Sequence, residues 1–287
     1  MTGGDVPAPR TNGAGPSNPS ASRMEDLCRD LKLRVDALLE RQTDDKILKA
    51  VQAQVRIAKG VVEDALRRYK PEELSVSYNG GKDCLVLLIL ILASLPTVFP
   101  PTRTNPSGST PPSSSSFPSS LQALYIRPAL PFAEVDDFVR ESSAHYGLDL
   151  TTSNSGMKTA LTAYLAERPR VRAVFVGTRR TDPHGARLTF FDETDADWPR
   201  FMRIHPVIDW HYREVWGFIR ALEIPYCPLY DMGYTSLGST NDTHPNPALR
   251  ADPPPSADST TATSGREQFR PAYELMEDDE ERLGRDR

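Results

Sequence analysis

Five consecutive residues, Asn79-Gly80-Gly81-Lys82-Asp83, carry the densest chemistry in the chain. Gly80 and Gly81 have no Cβ, so the backbone can turn tightly there and approach a ligand closely. The N–H groups of this loop, together with the unpaired N–H groups of a following helix, form a seat for an anion such as a phosphate. Lys82 adds a compact positive charge, and Asp83 can hold a divalent cation against phosphate oxygens. The segment is neither a Walker A loop, because GxxxxGK[ST] does not fit, nor a GxGxxG fingerprint. An Asn-Gly-Gly tripeptide alone is also an ordinary turn, so its neighbours must decide between a turn and an anion site.

Those neighbours are a short strand at Leu74 to Tyr78 and a helix from about Asp83 to Leu95 that is apolar nearly all round. Upstream, two amphipathic helices are predicted. Leu27, Leu31, Val35, Leu38 and Leu39 recur at helical spacing in the first. In the second, after Thr43 as N-cap, Ile47, Val51, Val55, Ala58, Val62, Ala65 and Leu66 do so. Downstream, predicted strands at Leu121 to Ile126, Leu148 to Thr151, Ala173 to Gly177 and Ile204 to Ile208 alternate with helices. These helices run from about Ala133 to Tyr146, Gly156 to Glu167 and Trp210 to Leu222, the last capped by Asp209. Such alternation predicts an α/β fold with a mainly parallel sheet and helices on both faces. Ligands of such sheets bind beyond the C-terminal strand edges.

The totals narrow the function. The chain has 287 residues, a net charge of −5 and three separated cysteines, Cys28, Cys84 and Cys227. The acidic balance disfavours nucleic-acid binding, and the cysteines form no CxxC pair or metal cluster. The apolar run Cys84 to Leu95 is too short to span a bilayer as a helix, and the N-terminus lacks a signal region. A cytoplasmic, monomeric protein without membrane or nucleic-acid partners is expected. Residues 1–23 read as a disordered tail, and 24–287 as a single catalytic domain. Low-complexity segments interrupt it at about 101–120 and 244–266, because Ser, Pro, Thr and Gly there bury too little to offset ordering entropy.

Beyond the loop, charged residues cluster where strands end. Gly177 to Pro183 presents Arg179, Arg180 and Asp182, and Thr194 to Pro206 includes Trp198, Pro199 and Arg203. Near the C-terminus, Arg282 and Arg285 stand three apart, on one side of a helix that Gly284 would end. Each stretch has a plain alternative: a charged surface loop, a Trp in core packing, a solvated tail.

The form Tyr78-Asn-Gly-Gly-Lys-Asp-Cys84 resembles the modified phosphate loop of ATP pyrophosphatases, usually written SGGxDS. Within that group it resembles the eukaryotic FAD synthases (FMN adenylyltransferases), relatives of the phosphoadenylyl-sulfate reductases. Four further segments are similar to the same family: Pro131-Phe-Ala-Glu-Val-Asp-Asp-Phe-Val139, Gly177-Thr-Arg-Arg-Thr-Asp-Pro183, residues 194–206, and residues 226–238. The resemblance implies an adenine nucleotide alpha hydrolase-like, Rossmann-like fold. It implies ATP contacts at Val76, Tyr78, Asn79, Gly80, Gly81, Lys82, Ile126 and Thr178. It implies flavin contacts at Asp195, Ala196, Asp197, Trp198, Arg203 and Ile204, and Mg²⁺ at Asp83 and Asp182. Asn79, Asp83, Asp182, Arg282 and Arg285 would be catalytic. A Trp can stack on an isoalloxazine ring, and paired guanidiniums suit spread phosphoryl charge.

The implied reaction joins FMN and ATP to give FAD, which can stay bound, and pyrophosphate. An FMN phosphate is largely dianionic at pH 7 and needs no general base, which agrees with scattered histidines whose His205 and His211 read as structural. The related reductases use a C-terminal cysteine, and no cysteine follows Leu275; Cys84 and Cys227 read as packing residues. Two other readings stand beside this one: a different adenylating enzyme with the same loop, and a flavin- or nucleotide-binding module without catalysis.

Overall fold

The computed structural model describes residues 19–100, 117–251 and 268–286. The low-complexity expectation over 101–116 and 252–267, and most of the N-terminal tail, lie outside these. The margins of all three stretches differ from expectation. Helix α1 (Pro19–Glu40) begins inside the expected tail, and Phe117 packs against the core. Residues 244–251 are folded, with Leu249 and Asn246 fully buried. Asn246 holds that turn in place by donating to Thr235 Oγ1 and to the carbonyl of Glu280.

In α1, Met24, Cys28, Leu31, Val35 and Leu38 alternate at steps of four and three and are buried, the periodicity of one helical face. Helix α2 (Lys46–Arg68) is capped by Asp45 rather than Thr43. The Asp45 carboxylate accepts from Ile47 N–H at 2.7 Å and Leu48 N–H at 3.0 Å, while Thr43 accepts from Asp45 itself. A carboxylate is favoured there because it meets both the orphan donors and the positive end of the helix. Helix α3 (Lys82–Val98) is buried on every side from Cys84 to Leu95, and α1 and α2 pack on it.

The sheet has six strands: β1 (Leu74–Ser77), β2 (Leu121–Ile126), β3 (Leu148–Ser153), β4 (Ala173–Phe175), β5 (Phe191–Glu193) and β6 (Met202–Ile204), in the order β3-β2-β1-β4-β6-β5. All neighbours are parallel except β5, which runs antiparallel to β6. Two details depart from the sequence expectation. β5 is an added strand, and β6 lies over 202–204 instead of 204–208. Pro206 explains the second: it has no N–H to give a ladder, so the chain turns into buried 205–208.

Alternation along the strands divides the two faces. Ala123, Tyr125, Ala173 and Phe175 join the large core under α1, α2, α3, α4 (Ala133–His145) and α6 (Tyr212–Ala221). Leu124 and Val174 join a small cluster with Leu161 and Tyr164 of α5 (Met157–Glu167), plus Phe201 and Trp198. Helices thus cover both faces, unevenly. Helix α6 begins one turn after Asp209: Glu214 Oε2 accepts from the N–H of His211 at 2.8 Å, and Asp209 instead pairs with Arg180 at 2.6 Å. Among the described residues, no helix is long and apolar enough to cross a membrane.

Candidate active site

From β1 the chain moves outward to β2 and β3, then returns to β4 on the other side of β1. The loops leaving β1 and β4 therefore diverge in opposite directions and open a crevice at the C-terminal sheet edge, the general location of ligands in such sheets. The loop at 78–81 and the turn at 176–185 are those two loops.

The first loop is held by its own side chains. Gly80 has φ +73°, and a Cβ there would meet Val139 Cγ2 at 2.8 Å, so both backbone conformation and space call for glycine. Asn79 Oδ1 accepts from Gly81 N–H at 3.0 Å and from the Cys84 thiol at 2.9 Å. Lys82 N–H donates to the Tyr230 hydroxyl at 2.9 Å. Two amides expected to face a ligand, those of Gly81 and Lys82, are thus engaged with the protein here. The Tyr78 ring is fully buried with its hydroxyl on Ser142, and its N–H donates to Leu124 O at 3.0 Å. Burial pushes the Cys84 thiol up to about 12 and Cys227 to about 11, so both are unreactive packing groups.

Behind the loop sits a buried ionic cluster. The Lys82 side chain is 2 % exposed; its Nζ lies 3.1 Å from Asp83 Oδ2 and 2.5 Å from Glu281 Oε1. Arg179 is completely buried; its Nε lies 2.7 Å from Asp83 Oδ1, and its Nη2 donates to Glu281 Oε2. Two cations thus face two carboxylates, with Asp278 at the margin, 4.0 Å from Arg179 and bonded to His211. Burial opposes the charges of Lys82, Asp83 and Arg179, and removing one partner of a buried pair typically costs about 3–5 kcal/mol. The opposite charges win: burial works against the Lys82 charge, but Asp83 and Glu281 raise its pKa. Burial likewise works against the Asp83 carboxylate, but Lys82 and Arg179 hold it low. The 2.7 Å approach of Arg179 Nε to Asp83 Oδ1 is a charge contact and not an aligned hydrogen bond, so Asp83 Oδ1 has no directed donor.

The second loop completes the crevice. A Cβ on Gly177 would lie 2.8 Å from Cys84 N and 3.1 Å from Asp83 C, so the loop after β4 presses directly on the first turn of α3. Thr178 follows, half-buried. Asp182 Oδ2 accepts from Arg179 N–H at 2.8 Å, which fixes the turn but places Asp182 on the backbone of Arg179 and not in the cluster. Val76 is buried in β1, and Ile126 is half-buried at the end of β2, both at the same sheet edge.

The C-terminal arginines lie on a chain path other than the expected helix. A 3₁₀ turn (Asp278–Glu280) leads into successive turns, with Arg285 N–H on Arg282 O at 3.0 Å. Gly284 is no helix terminator; its carbonyl accepts from His244 N–H, and a Cβ there would lie 2.3 Å from His244 O. Arg285 lies against Gly238 and pairs with Asp242 at 3.3 Å, whereas Arg282 is exposed.

The flavin-segment residues are placed differently from one another. Because β5 is antiparallel, the 194–201 connection starts beyond the N-terminal strand edge, opposite the phosphate loop. It then folds over the α5 face: Trp198 packs on the small cluster, and Asp197 meets Lys158, in the first turn of α5, at 3.4 Å. That turn follows β3 and so lies at the ligand edge. Asp195 and Ala196 are exposed. Arg203 donates to Glu193 O across the hairpin. Ile204 is fully buried in β6, its side chain in the core.

Three residues of the site were not singled out from the sequence as site residues: Arg179 as a buried hub, Glu281 and Tyr230. Arg179 was visible only as one charge in a loop. Glu281 stands in the run Glu277-Asp278-Asp279-Glu280-Glu281, which carries no signal for which carboxylate turns inward. Among the described residues, no three His, Cys, Asp or Glu side chains form a metal cage. A Mg²⁺ that takes one or two carboxylates and completes its shell with phosphates and water needs none, and Asp83, a fifth of whose side chain is exposed, is the carboxylate of the cluster open to such an ion.

Comparison with known proteins agrees with this geometry. Residues 73–164 and 154–245 match the phosphoadenosine phosphosulfate reductase domain. A probable FAD synthase of Schizosaccharomyces pombe is 37% identical over 238 residues, covering 83% of this chain and 81% of that protein. A probable FAD synthase of Caenorhabditis elegans is 34% identical over 257 residues, 89% of this chain, which spans only 44% of that relative's length. The crystal structure of Candida glabrata FMN adenylyltransferase in complex with FAD and inorganic pyrophosphate superposes with a TM-score of 0.81 at 28% identity, covering 92% of this chain and 97% of that one. By these matches the chain belongs to the FAD synthase family, on the phosphoadenosine phosphosulfate reductase-like fold.

Proposed function

We propose that this protein transfers the adenylyl group of ATP to FMN, giving FAD and pyrophosphate. The observation that carries the reading is the Asn79–Asp83 loop at the switch point, backed by the buried cluster of Lys82, Asp83, Arg179 and Glu281.

In this reading a phosphate oxygen of FMN attacks the α-phosphorus of ATP in line. The new P–O bond forms as the bond to the bridging oxygen breaks, and the electron pair leaves with pyrophosphate. The dianionic nucleophile carries no proton to be removed, so the protein's task is to bring two anions together and stabilise the charge that spreads over the transferring group. Asn79, Gly80 and Gly81 cradle the phosphates with backbone groups, and phosphate would take the Gly81 amide from Asn79. Lys82 serves by holding Asp83, since its ammonium faces Asp83 and Glu281. Asp83, with Asp182 from the facing loop, would hold Mg²⁺, which when bound supplies charge neutralisation on the phosphates. Arg282 and Arg285 neutralise the transferring group. Val76, Ile126 and Thr178 line the adenosine side. Asp195, Ala196, Asp197, Trp198, Arg203 and Ile204 would meet the flavin. We read the protein as a cytoplasmic monomer that acts on small molecules alone.

The test is direct. Purified protein with FMN and α-labelled ATP should form labelled FAD and release unlabelled pyrophosphate, and chelation of Mg²⁺ should stop it. Folded protein that forms no FAD under these conditions refutes the proposal.

A further inference from the structure

Glu281 joins two parts of the chain that the sequence keeps far apart. One oxygen lies 2.5 Å from Lys82 Nζ, 199 residues away, and the other accepts from Arg179. Its backbone is held too: Thr235 Oγ1 donates to the Glu281 carbonyl, and Asn246 to the Glu280 carbonyl. The side chain is 6 % exposed. The next residue in the chain is the exposed Arg282.

We propose that Glu281 is a positioning residue: its carboxylate clamps the C-terminal segment onto Lys82 and Arg179, and so fixes Arg282 relative to the phosphate loop. Three observations carry this. The carboxylate uses both oxygens on two different elements, α3 and the loop after β4, which a single surface ion pair would not do. The two cations it binds also hold Asp83, so the clamp and the loop share one rigid cluster. The backbone at Glu280 and Glu281 is itself tied down, by Asn246 and Thr235. Charge-assisted bonds to two cations have the strength and direction for such a task, and a 1 Å misplacement of a group at the reacting centre costs on the order of a hundredfold in rate.

The inference rests on the proposed adenylyl transfer for its activity readout, and the experiment separates the two. Wild type, Glu281→Gln, Arg282→Ala and the double variant are compared for kcat, for KM with each substrate, and for backbone amide exchange at 282–285. Glu281→Gln keeps the shape but removes the charge. It should slow kcat by roughly ten- to a hundredfold, with KM for FMN changed less than about threefold, and should speed exchange at 282–285. Adding Arg282→Ala to it should cost less than about threefold more, because the arginine is already misplaced. Wild-type kcat in Glu281→Gln, or losses that multiply in the double variant, would overturn the proposal. Should Glu281→Gln not fold, Glu281→Asp retains the charge on a shorter arm: reduced kcat with intact folding supports the clamp, and wild-type kcat overturns it. A wild-type protein that makes no FAD refutes the function and not the clamp, which the exchange measurement still tests.

Discussion

Gly177→Ala offers the sharpest test of the crevice, because the added methyl has only backbone to meet. Its Cβ would stand 2.8 Å from Cys84 N, 3.0 Å from Cys84 Cα and 3.1 Å from Asp83 C, where ordinary contact begins at 3.4 Å. No rotamer change can relieve this; the first turn of α3 and the loop after β4 must separate by about 0.6 Å, the difference between 3.4 and 2.8 Å. Overpacking of this kind costs about 1–3 kcal/mol. For a domain of this size that is about 2–12 °C in Tm at 2–4 °C per kcal/mol. The rate should suffer more than the stability. The separation acts on the two elements that hold Asp83 and Arg179 in contact, and misplacement approaching 1 Å is worth on the order of 10²-fold. Steady-state FAD formation, with calorimetry on the same sample, reads both. A variant with wild-type kcat and Tm would show that the two loops are not in the tight contact from which the site has been built.

Asp83→Asn should lower kcat by on the order of 10²–10³, as for other electrostatic groups at a reacting centre. It should also lose roughly 3 kcal/mol of stability, the low end for a broken buried pair because a fifth of the side chain is exposed; denaturant unfolding and initial rates check the two, and normal rates would remove Asp83 from the site. His205 gives a pH prediction. Burial is the main cause that lowers its pKa to about 4, and the charge of Arg203 adds to it. The unfolded imidazole, near 6.5, takes up protons that the folded one refuses, so stability is full above about 6.5 and falls as pH drops towards 4. The loss over that window is on the order of 3 kcal/mol at 1.36 kcal/mol per pH unit. Unfolding free energies measured from pH 7 to 4 should show a shallower fall in His205→Gln; an unchanged slope would refute the assignment.

What could be read from the sequence, and what could not, divides along physical lines. The β1–loop–α3 unit was legible because its signals are contiguous: a β-branched run, two glycines, then a helix apolar on all sides. The faces of α1 and α2 were legible from spacing. β5 was not, because Phe191-Asp192-Glu193 is too short for alternation to register and is half-exposed. β6 was displaced because the apolar run 204–208 looks like a strand until Pro206 is given its missing N–H. Thr43 and Asp209 were both plausible caps, and in each case a residue two further along captured the role.

The site shows a deeper version of the same division. Asn79 to Asp83 could be found because a phosphate loop is local. Arg179 and Glu281 could not, because their function is a relation between residues 102 and 199 positions apart. Nor does stability alone account for that relation: apolar groups of similar volume often replace buried ion pairs without loss. What apolar groups could not do is keep Asp83 ionised in a buried place. Lys82 and Arg179 together hold its pKa below the usual carboxylate range, yet only Lys82 gives it an aligned side-chain donor, so Oδ1 is charged and under-bonded. Glu281 supplies the second negative charge that two buried cations require. Without it, Lys82 and Arg179 would face Asp83 with only Asp278 at the margin to share their charge. The cluster's acidic residue most remote in sequence is therefore the one that balances the charge around the loop's own aspartate.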